Sequence, residues 1–189
     1  MWTIISGFAP AQQSDAVQVS ADNARTGTRA LRVTASGSRN GVRAQLPQSS
    51  YYVRAFFQFD AVPLGPVFIG AGNDQNDETR FRIQGQSFAT INTTAGDAVR
   101  PGNANGGGCP DCVPLTPNEW TCVEMFVDDA AQTATLSING VEAAVAEPGV
   151  FTNQPDQPLL FLGSWGLQGG QAGVWIDDVA VGPQPFGCD

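Results

Sequence analysis

Short apolar or alternating runs follow one another along almost the whole chain, and Gly, Pro, Asn and Asp separate them. This pattern is typical of β-strands joined by turns. About a dozen such runs are present: DAVQVSA, TRALRVTA, GVRAQL, YYVRAFFQFD, PVFIGAG, TRFRIQG, FATINT, WTCVEMFVD, TATLSI, VEAAVA, PLLFLGSW and GVWIDDVAV. No segment has the period of a long amphipathic helix. The chain is therefore predicted to be all-β, with two antiparallel sheets packed face to face.

Two stretches between these runs predict a turn and a loop. Asn139-Gly140 lies between TATLSI and VEAAVA, and this dipeptide is the strongest short hairpin signal that a sequence gives. The segment 94–117 is rich in Gly, Asn and Pro, which predicts a long loop. No internal repeat or linker divides the chain, so residues 1–189 are predicted to form a single domain, as β-sandwiches of roughly 200 residues do.

Alternation also predicts which side chains of each strand leave the core. The residues predicted to face inward are Val53, Ala55, Phe57 and Phe59 in YYVRAFFQFD, and Val42, Ala44 and Leu46 in GVRAQL. The polar positions that remain outside form a predicted surface rich in Arg and amide groups, comprising Arg43, Gln45, Arg54, Arg80, Arg82 and Gln84. In WTCVEMFV either face can be the inner one, so the pattern does not assign Glu124.

Two interpretations of this predicted surface stay open. In the first, it is a solvated sheet face whose arginines pair with the surplus of carboxylates. In the second, it is a ligand groove, because Arg offers a planar donor fork to carboxylates and amide groups form hydrogen bonds with hydroxyls. The second chemistry is that of a site for an acidic or neutral sugar chain.

The charge composition excludes several classes of function. The chain has no His, and its nine basic residues are all Arg; against 18 Asp and Glu they give a net charge of −9. A nucleic-acid partner is not expected, because its phosphates require clustered basic residues. No apolar run approaches the roughly 20 residues of a membrane span. Without His or Lys, the chain also lacks His-dependent triads, His-ligated zinc and Schiff-base lysines.

The chain contains four cysteines, Cys109, Cys112, Cys122 and Cys188. CPDC lies in a Gly- and Pro-rich loop and has no second close Cys pair, which favours disulfides over a redox motif or a zinc site. Three pairings are possible, and we favour Cys109 with Cys112 and Cys122 with Cys188. Disulfides persist in oxidising compartments, so a secreted or cell-surface protein is expected. The first residues, MWTIISGF, predict a strand and not a leader peptide.

Taken in order, the segments VSADNARTGTRALRVTA, YYVRAFFQF, TRFRIQGQ, NEWTCVEMFVD, INGVEAAV, FLGSWG, VWIDDVAVG and FGCD cover nearly the whole chain. They resemble the concanavalin A-like jelly rolls of polysaccharide lyases, in particular the cellulose-induced secreted proteins related to glucuronan and alginate lyases. The resemblance implies a concave sheet that holds a polysaccharide, and often a calcium ion. In the lyases, Arg and an amide neutralise the uronate carboxylate, and His or Tyr acts as base and acid.

The sequence departs from the lyase pattern at the catalytic positions. The strand expected to carry the Gln-x-His motif reads VFIGAGND, and the strand expected to carry the catalytic Tyr has Trp165 instead. We therefore predict a secreted polysaccharide-binding domain. A lyase with Tyr or Asp as base is the first alternative, and a structural module of a larger extracellular assembly is the second. Other domains of a longer secreted protein are further expected partners.

One residue is a candidate metal ligand. In the jelly rolls that the chain resembles, the Asp that Asp177 matches binds a structural calcium, together with groups from the turn DNARTG and an N-terminal Glu. That Glu has no counterpart here. DQNDETRFRIQG has the rhythm of a calcium loop, but Thr79 stands where Gly is required, so a polar hairpin turn is expected.

Three tryptophans carry separate expectations. Trp120 and Trp175 are predicted to fill the core. Trp165 precedes the Gly-rich segment GLQGGQAG, where an exposed indole would provide a surface for stacking on sugar rings.

Overall fold

In a computed structural model of the chain, the described residues form strands and turns and no helix. The described ranges are 1–6, 9–11, 15–34, 40–48, 50–61, 67–72, 77–84, 88–93, 96–98, 115–128, 130–131, 133–146, 159–165 and 173–189. At residues 5–6, 9–11, 67–68, 71–72, 77–84, 88–93, 96–98, 146 and 165 the description is that of the backbone. None of the described residues lies in a helix long and apolar enough to cross a membrane.

Fifteen strands are present in this part of the chain. They are β1 Thr3–Ser6, β2 Ala9–Ala11, β3 Val17–Ser20, β4 Ala30–Thr34, β5 Asn40–Gln45, β6 Ser50–Phe59, β7 Val67–Gly72, β8 Asp77–Gln84, β9 Phe88–Thr93, β10 Gly96–Ala98, β11 Thr121–Asp128, β12 Thr133–Ile138, β13 Val141–Ala146, β14 Leu159–Trp165 and β15 Gly173–Gly182.

The strands form two antiparallel sheets. The eight-stranded sheet has the order β10-β9-β8-β7-β14-β5-β1-β2, and the seven-stranded sheet has the order β13-β12-β11-β6-β15-β4-β3. Consecutive strands pair at the edges of the sheets, whereas the central neighbours are distant in sequence, as in β14 beside β5 and β15 beside β6. The all-β, two-sheet sandwich predicted from the alternating runs is confirmed.

The core lies between the inner faces of the two sheets. Strand β6 contributes Val53, Ala55, Phe57 and Phe59, all with 0 % of their surface exposed, as the alternation predicted. Opposite apolar side chains come from β7 and β14 in the eight-stranded sheet: Ile69, Leu160 and Leu162. Burying each large apolar side chain contributes roughly 1.5–3 kcal/mol. The inward direction predicted for β5 is also confirmed, since Val42 packs on the core and Leu46 is part of it.

The Asn139-Gly140 hairpin forms as predicted between β12 and β13. Both residues have positive φ angles, 50° and 78°, which is the backbone of the two-residue turn that matches strand twist. The Asn139 N–H donates to the Cys122 carbonyl at 2.9 Å, and the Asn139 Oδ1 accepts from the Cys122 N–H at 2.9 Å. The turn is therefore tied to the start of β11.

Cys122 also forms a disulfide with Cys188, which confirms that pairing. It joins the start of β11 to the C-terminal segment across 66 positions of sequence. The predicted pair Cys109 and Cys112 lies outside the described residues.

Two expectations need correction. The segment 94–117 is not a loop throughout, because Gly96–Ala98 forms β10 and pairs with β9. Trp120 and Trp175 are not core residues: both are partly exposed, and neither belongs to the core cluster. Trp175 alternates with the buried Val174 and Ile176, so it lies on the outer face of the seven-stranded sheet.

Candidate functional site

The outer face of the eight-stranded sheet brings together polar positions that are far apart in sequence. Directly paired residues of an antiparallel sheet share a face. The pairings run from strand to strand through Thr3, Arg43, Phe161, Gly70, Arg80, Asn92 and Asp97. A second row contains Arg82 and Thr90. Trp165 pairs with Val67, but a register shift separates this pair from Leu162 and Ile69, so the pairing does not assign Trp165 to a face. We call this surface, around Arg43, Arg80 and Arg82, the arginine face.

The register fixes the scale of the arginine face. Arg43 on β5 and Arg80 on β8 are three strands apart, which is about 14 Å at the usual strand spacing. Arg80 and Arg82 are two residues apart on one strand, about 7 Å. Gln45 and Gln84 follow at alternate positions on the same two strands. Of the seven predicted ligand-binding residues, five therefore have register positions on one surface that spans more than one sugar ring, and Trp165 is not assigned to it.

Arg54 is the seventh, and its grouping with the others is wrong. It lies on β6, in the seven-stranded sheet, where it pairs with Glu124 and Ala180. Its guanidinium donates to the backbone carbonyls of Asp178 at 3.3 Å and Gly187 at 3.4 Å. Alternation correctly predicted that Arg54 leaves the core, but it could not show that β6 belongs to the other sheet.

Asn92 and Asp97 were missed by the sequence analysis. Both belong to the same row as Arg80, through the pairs Arg80–Asn92 and Asn92–Asp97. The alternation in FATINT was the available signal, since it separates Thr90 and Asn92 from Ala89 and Ile91. An amide beside an arginine suits the recognition of a carboxylate or a hydroxyl, and Asp97 adds a carboxylate to the row.

Phe161 fills the centre of this row. Leu160 and Leu162 point into the core, whereas Phe161 points to the other side and is still only 1 % exposed. A Cβ atom placed on Gly41 or on Gly163 would come within 2.9 Å of the Phe161 ring. These two glycines are direct cross-strand partners. They make room for the ring on the sheet, and because the ring is covered it does not provide a stacking surface for a sugar.

The outer face of the seven-stranded sheet is engaged by the chain itself. Aromatic contacts lie on this side: Arg25 over Phe56 at 3.5 Å, Arg32 over Trp175 at 4.8 Å, Arg54 over Phe56 at 5.4 Å and over Phe186 at 5.7 Å, and Tyr52 against Phe126 at 4.5 Å. Arginine stacked on a ring face occupies the surface that a sugar ring would use. Arg32 is further bound to Asp60 through both of its terminal nitrogens.

The C-terminal segment covers part of the same side. The carboxylate Oε2 of Glu124 accepts the N–H groups of Phe186 at 2.7 Å and Gly187 at 3.2 Å. Gly187 has a φ of 72°, which lets two successive N–H groups converge on one anion. Glu124 thus points outward and its carboxylate binds the C-terminal segment, so it is not a free acid for glycoside hydrolysis.

Neither tyrosine of the chain lies on the arginine face. Tyr51 is buried at 1 % exposure in β6, and Tyr52 stacks on Phe126 on the far side of the sandwich. The sequence contains no other Tyr and no His. The side chains that the lyases use as base and acid are therefore missing from this face, and Asp97 is the carboxylate in the row of Arg80.

Comparison with known families identifies the family to which the chain belongs. The family model of the Cip1-like core domain, a polysaccharide lyase-like family, matches residues 1–184. The chain belongs to the Cip1-like family. No curated protein matches the sequence.

Solved structures agree with this Cip1-like fold. The chain is similar to "Cellulose induced protein, Cip1", with a TM-score of 0.74 and 21 % identity over 92 % of this chain and 88 % of that one. It is also similar to the alginate lyase AlyC3, with a TM-score of 0.56 and 12 % identity over 81 % and 74 % of the two chains. A third is domain 4 of AbnA, an extracellular arabinanase from Geobacillus stearothermophilus, in complex with arabinotriose. Its TM-score is 0.54, with 17 % identity over 96 % of this chain and 84 % of that domain. At these identities the likeness is one of fold.

Asp177, the predicted metal ligand, lies where β15 meets the loop 21–28. Its Oδ2 accepts the backbone N–H groups of Arg25 at 2.8 Å and Thr26 at 3.3 Å, and its Oδ1 accepts the N–H of Asp178 at 2.8 Å. Within the described residues, no group of three or more His, Cys, Asp or Glu could hold a metal ion. Calcium at Asp177 stays a prediction.

Asp178, next to it, binds the side chains of the same loop. Its carboxylate accepts from the Arg25 guanidinium at 2.6 Å and from the Thr26 hydroxyl. Burial raises the pKa of Asp178, but the hydrogen bonds of Thr26 and Arg25 and the charges of Arg25 and Arg54 lower it below 3.8. Asp178 is therefore ionised, and it holds the loop through Arg25 and Thr26.

Proposed function

We propose that this Cip1-like domain binds polysaccharide on its arginine face and does not cleave it. The observation that carries the proposal is the register of the eight-stranded sheet. It gathers Arg43, Arg80 and Arg82 with amide positions over about 14 Å, the scale of a few sugar rings.

The preferred ligand of this face is a polymer that contains uronate sugars. Arg binds carboxylates with two parallel N–H donors, and such charge-assisted bonds are about twice as strong as neutral ones. Gln45, Gln84 and Asn92 add amide positions that suit hydroxyl groups. The whole chain carries a charge of −9, so an anionic polymer is recognised only where arginines are clustered.

The proposed function requires an extracellular location, and the disulfide is compatible with one. The Cys122–Cys188 disulfide is of the kind that persists in oxidising compartments. Polysaccharides of cell walls and biofilms are found outside the cell. We propose that the domain is secreted or displayed, alone or as part of a longer protein.

The experiment measures binding and cleavage with the same samples. The protein is titrated with alginate, glucuronan and soluble cello-oligosaccharides in a calorimeter, and each mixture is followed by ultraviolet absorbance for unsaturated products. Binding of the two uronate polymers without new absorbance is the expected result. Absence of binding to all three would favour the structural-module alternative and end the proposal.

Variants locate the site. Arg80→Ala should weaken uronate binding roughly 10- to 100-fold, because losing a hydrogen bond to a charged group costs about 1.5–3 kcal/mol. Arg80→Lys should restore part of the affinity, since Lys keeps the charge without the planar fork. Arg29→Ala is the matched control: Arg29 is exposed at the start of β4, and this change removes the same charge away from the arginine face. Equal effects of Arg80→Ala and Arg29→Ala would contradict the placement of the site.

A lyase is the second candidate, and one observation favours it. Asp97 pairs with Asn92, which pairs with Arg80, so a carboxylate, an amide and an arginine follow one another across three strands. If unsaturated products form, Asp97→Asn should abolish them while leaving binding within about threefold, because a base that accepts the proton contributes about 10²–10⁴ in rate. Products that persist in Asp97→Asn would exclude Asp97 as the base.

A further inference from the structure

We propose that the guanidinium of Arg25 takes the place of a metal ion at the junction of loop 21–28 with β15. This inference concerns the stability of the fold and is independent of the proposed ligand. The junction is where the resemblance implied calcium, through Asp177 and the turn DNARTG. The described contacts show a junction built from N–H donors and one arginine.

The groups around Asp177 point N–H donors at its carboxylate. Both of its carboxylate oxygens accept backbone N–H groups, from Arg25 and Thr26 on Oδ2 and from Asp178 on Oδ1. Calcium requires six to eight oxygen ligands at about 2.3–2.6 Å. N–H groups carry partial positive charge, so the donors that converge on Asp177 repel a cation from the positions they occupy. Asp177 is satisfied by the turn itself.

The Arg25 side chain lies between the Asp178 carboxylate and the Phe56 ring. Its terminal nitrogen lies 2.6 Å from the Asp178 carboxylate, and its guanidinium carbon lies 3.5 Å from the centre of the Phe56 ring. Phe56 is only 4 % exposed although it is on the outer side of β6, because Arg25 and Arg54 cover it. Arg25 thus brings a full positive charge to the carboxylate and packs on an apolar surface at the same time, which a hydrated metal ion does not do.

A β-bulge in β15 directs both carboxylates, those of Asp177 and Asp178, to the loop. Between Asp177 and Ala180 the register of β15 against β6 shifts by one residue. Asp178 has a φ of 48°, a conformation that Asp tolerates better than most residues. A bulge redirects a side chain that would otherwise alternate to the opposite face. Both Asp177 and Asp178 therefore reach the loop, one to its backbone and the other to Arg25 and Thr26.

The experiment compares thermal unfolding of the wild-type protein and of variants, each with excess EDTA and with millimolar CaCl2. The wild-type midpoint should differ by less than about 1 °C between the two solutions. Arg25→Met keeps the length of the side chain and removes the charge. It should lower the midpoint by about 3–12 °C, the size expected for losing a charged hydrogen bond in a chain of this length.

Two controls complete the design. Arg25→Lys should recover part of the loss, since it restores a positive charge beside Asp178. Arg29→Met, an exposed position, should lower the midpoint by no more than about 1 °C. The proposal is overturned if CaCl2 raises the wild-type midpoint by more than about 3 °C, or if Arg25→Met unfolds at the wild-type temperature. Calorimetric titration of the wild-type protein with CaCl2 gives a readout that does not depend on any variant folding, and a saturable heat would overturn the proposal as well.

Discussion

The link between the C-terminal segment and β11 offers the sharpest test of how this sandwich is stabilised. The perturbation is the double substitution Cys122→Ala and Cys188→Ala, which removes a cross-link between positions 66 residues apart. The segment keeps other contacts: Glu124 accepts the N–H groups of Phe186 and Gly187, and Arg54 contacts the Gly187 carbonyl and the Phe186 ring. The substitution therefore tests the cross-link more than the docking of the segment.

The magnitude follows from the length of the closed loop. A cross-link reduces the entropy of the unfolded chain by an amount that grows with the logarithm of loop length. For a loop of 66 residues this corresponds to about 4 kcal/mol at 25 °C. In a protein of 150–250 residues, each 1 kcal/mol shifts the midpoint by about 2–4 °C. The double variant should unfold about 8–16 °C below the wild-type protein.

The assay is thermal unfolding followed by circular dichroism, with urea unfolding as a second measure. Wild-type protein reduced with excess dithiothreitol is the control, and it should unfold within about 2 °C of the double variant. This comparison separates the cross-link from the change of the buried Cys122 side chain, which is 2 % exposed. A double variant that unfolds within 2 °C of the oxidised wild type would refute the reasoning, because the unfolded chain would then gain no freedom from the broken bond.

Two further substitutions test local arguments. Gly163→Ala should lower the free energy of unfolding, measured with urea, by more than about 3 kcal/mol. The added Cβ would meet the Asn40 carbonyl oxygen, the Gly41 Cα at 2.6 Å and the Phe161 ring at 2.9 Å. A loss below about 1 kcal/mol would show that the paired glycines are not required. Asp128→Asn should cost about 1 kcal/mol at pH 7. The N–H of Ala131 and the hydroxyl of Ser50 hold the pKa of Asp128 below 3.8 against the opposing effect of burial, with the N–H of Ala130 also lowering it. The Asp128 contribution is therefore present above about pH 4 and is lost as the pH falls through the folded-state pKa; a gap between wild type and variant that stays constant down to pH 2 would contradict this assignment.

Short-range pattern predicted the elements of the fold well, and the reason is physical. Alternation in YYVRAFFQFD depends only on the pleat of one strand, so the inward set from Val53 to Phe59 could be predicted without knowing any partner. The Asn139-Gly140 turn likewise depends on the backbone freedom of two residues. In both cases the information is local, and the structure agrees.

The placement of Arg54 depends on information that is not local. A strand sequence indicates which side chains leave the core, but it does not indicate which of two sheets the strand joins. Strand β6 pairs with β11 and β15, which are more than 60 residues away in sequence. For the same reason the sequence could not predict the row from Arg80 to Asp97, because that row depends on the register of three strands. The sequence could therefore predict which types of residue form the arginine face, but not which strands contribute them.

The two tryptophan errors have a different origin. Trp175 is apolar enough to be expected in the core, yet its outer position is stabilised because the Arg32 guanidinium covers its ring at 4.8 Å. Arg32 and Trp175 are cross-strand partners, but they are 143 positions apart in the chain. Burial under an arginine cannot be told from burial in a core by hydrophobicity alone.

These contacts change how the absence of Lys should be interpreted. Arg25 lies over Phe56 and binds Asp178, and Arg32 lies over Trp175 and binds Asp60. A guanidinium can do both because its plane stacks on a ring while its N–H groups point outward in that plane, and an ammonium group cannot. Arg is thus required by the architecture of the seven-stranded sheet, whatever the chain binds. The abundance of Arg is for that reason no argument for a ligand site, and the case for one depends on the register that places Arg43, Arg80 and Arg82 on the opposite side of the sandwich.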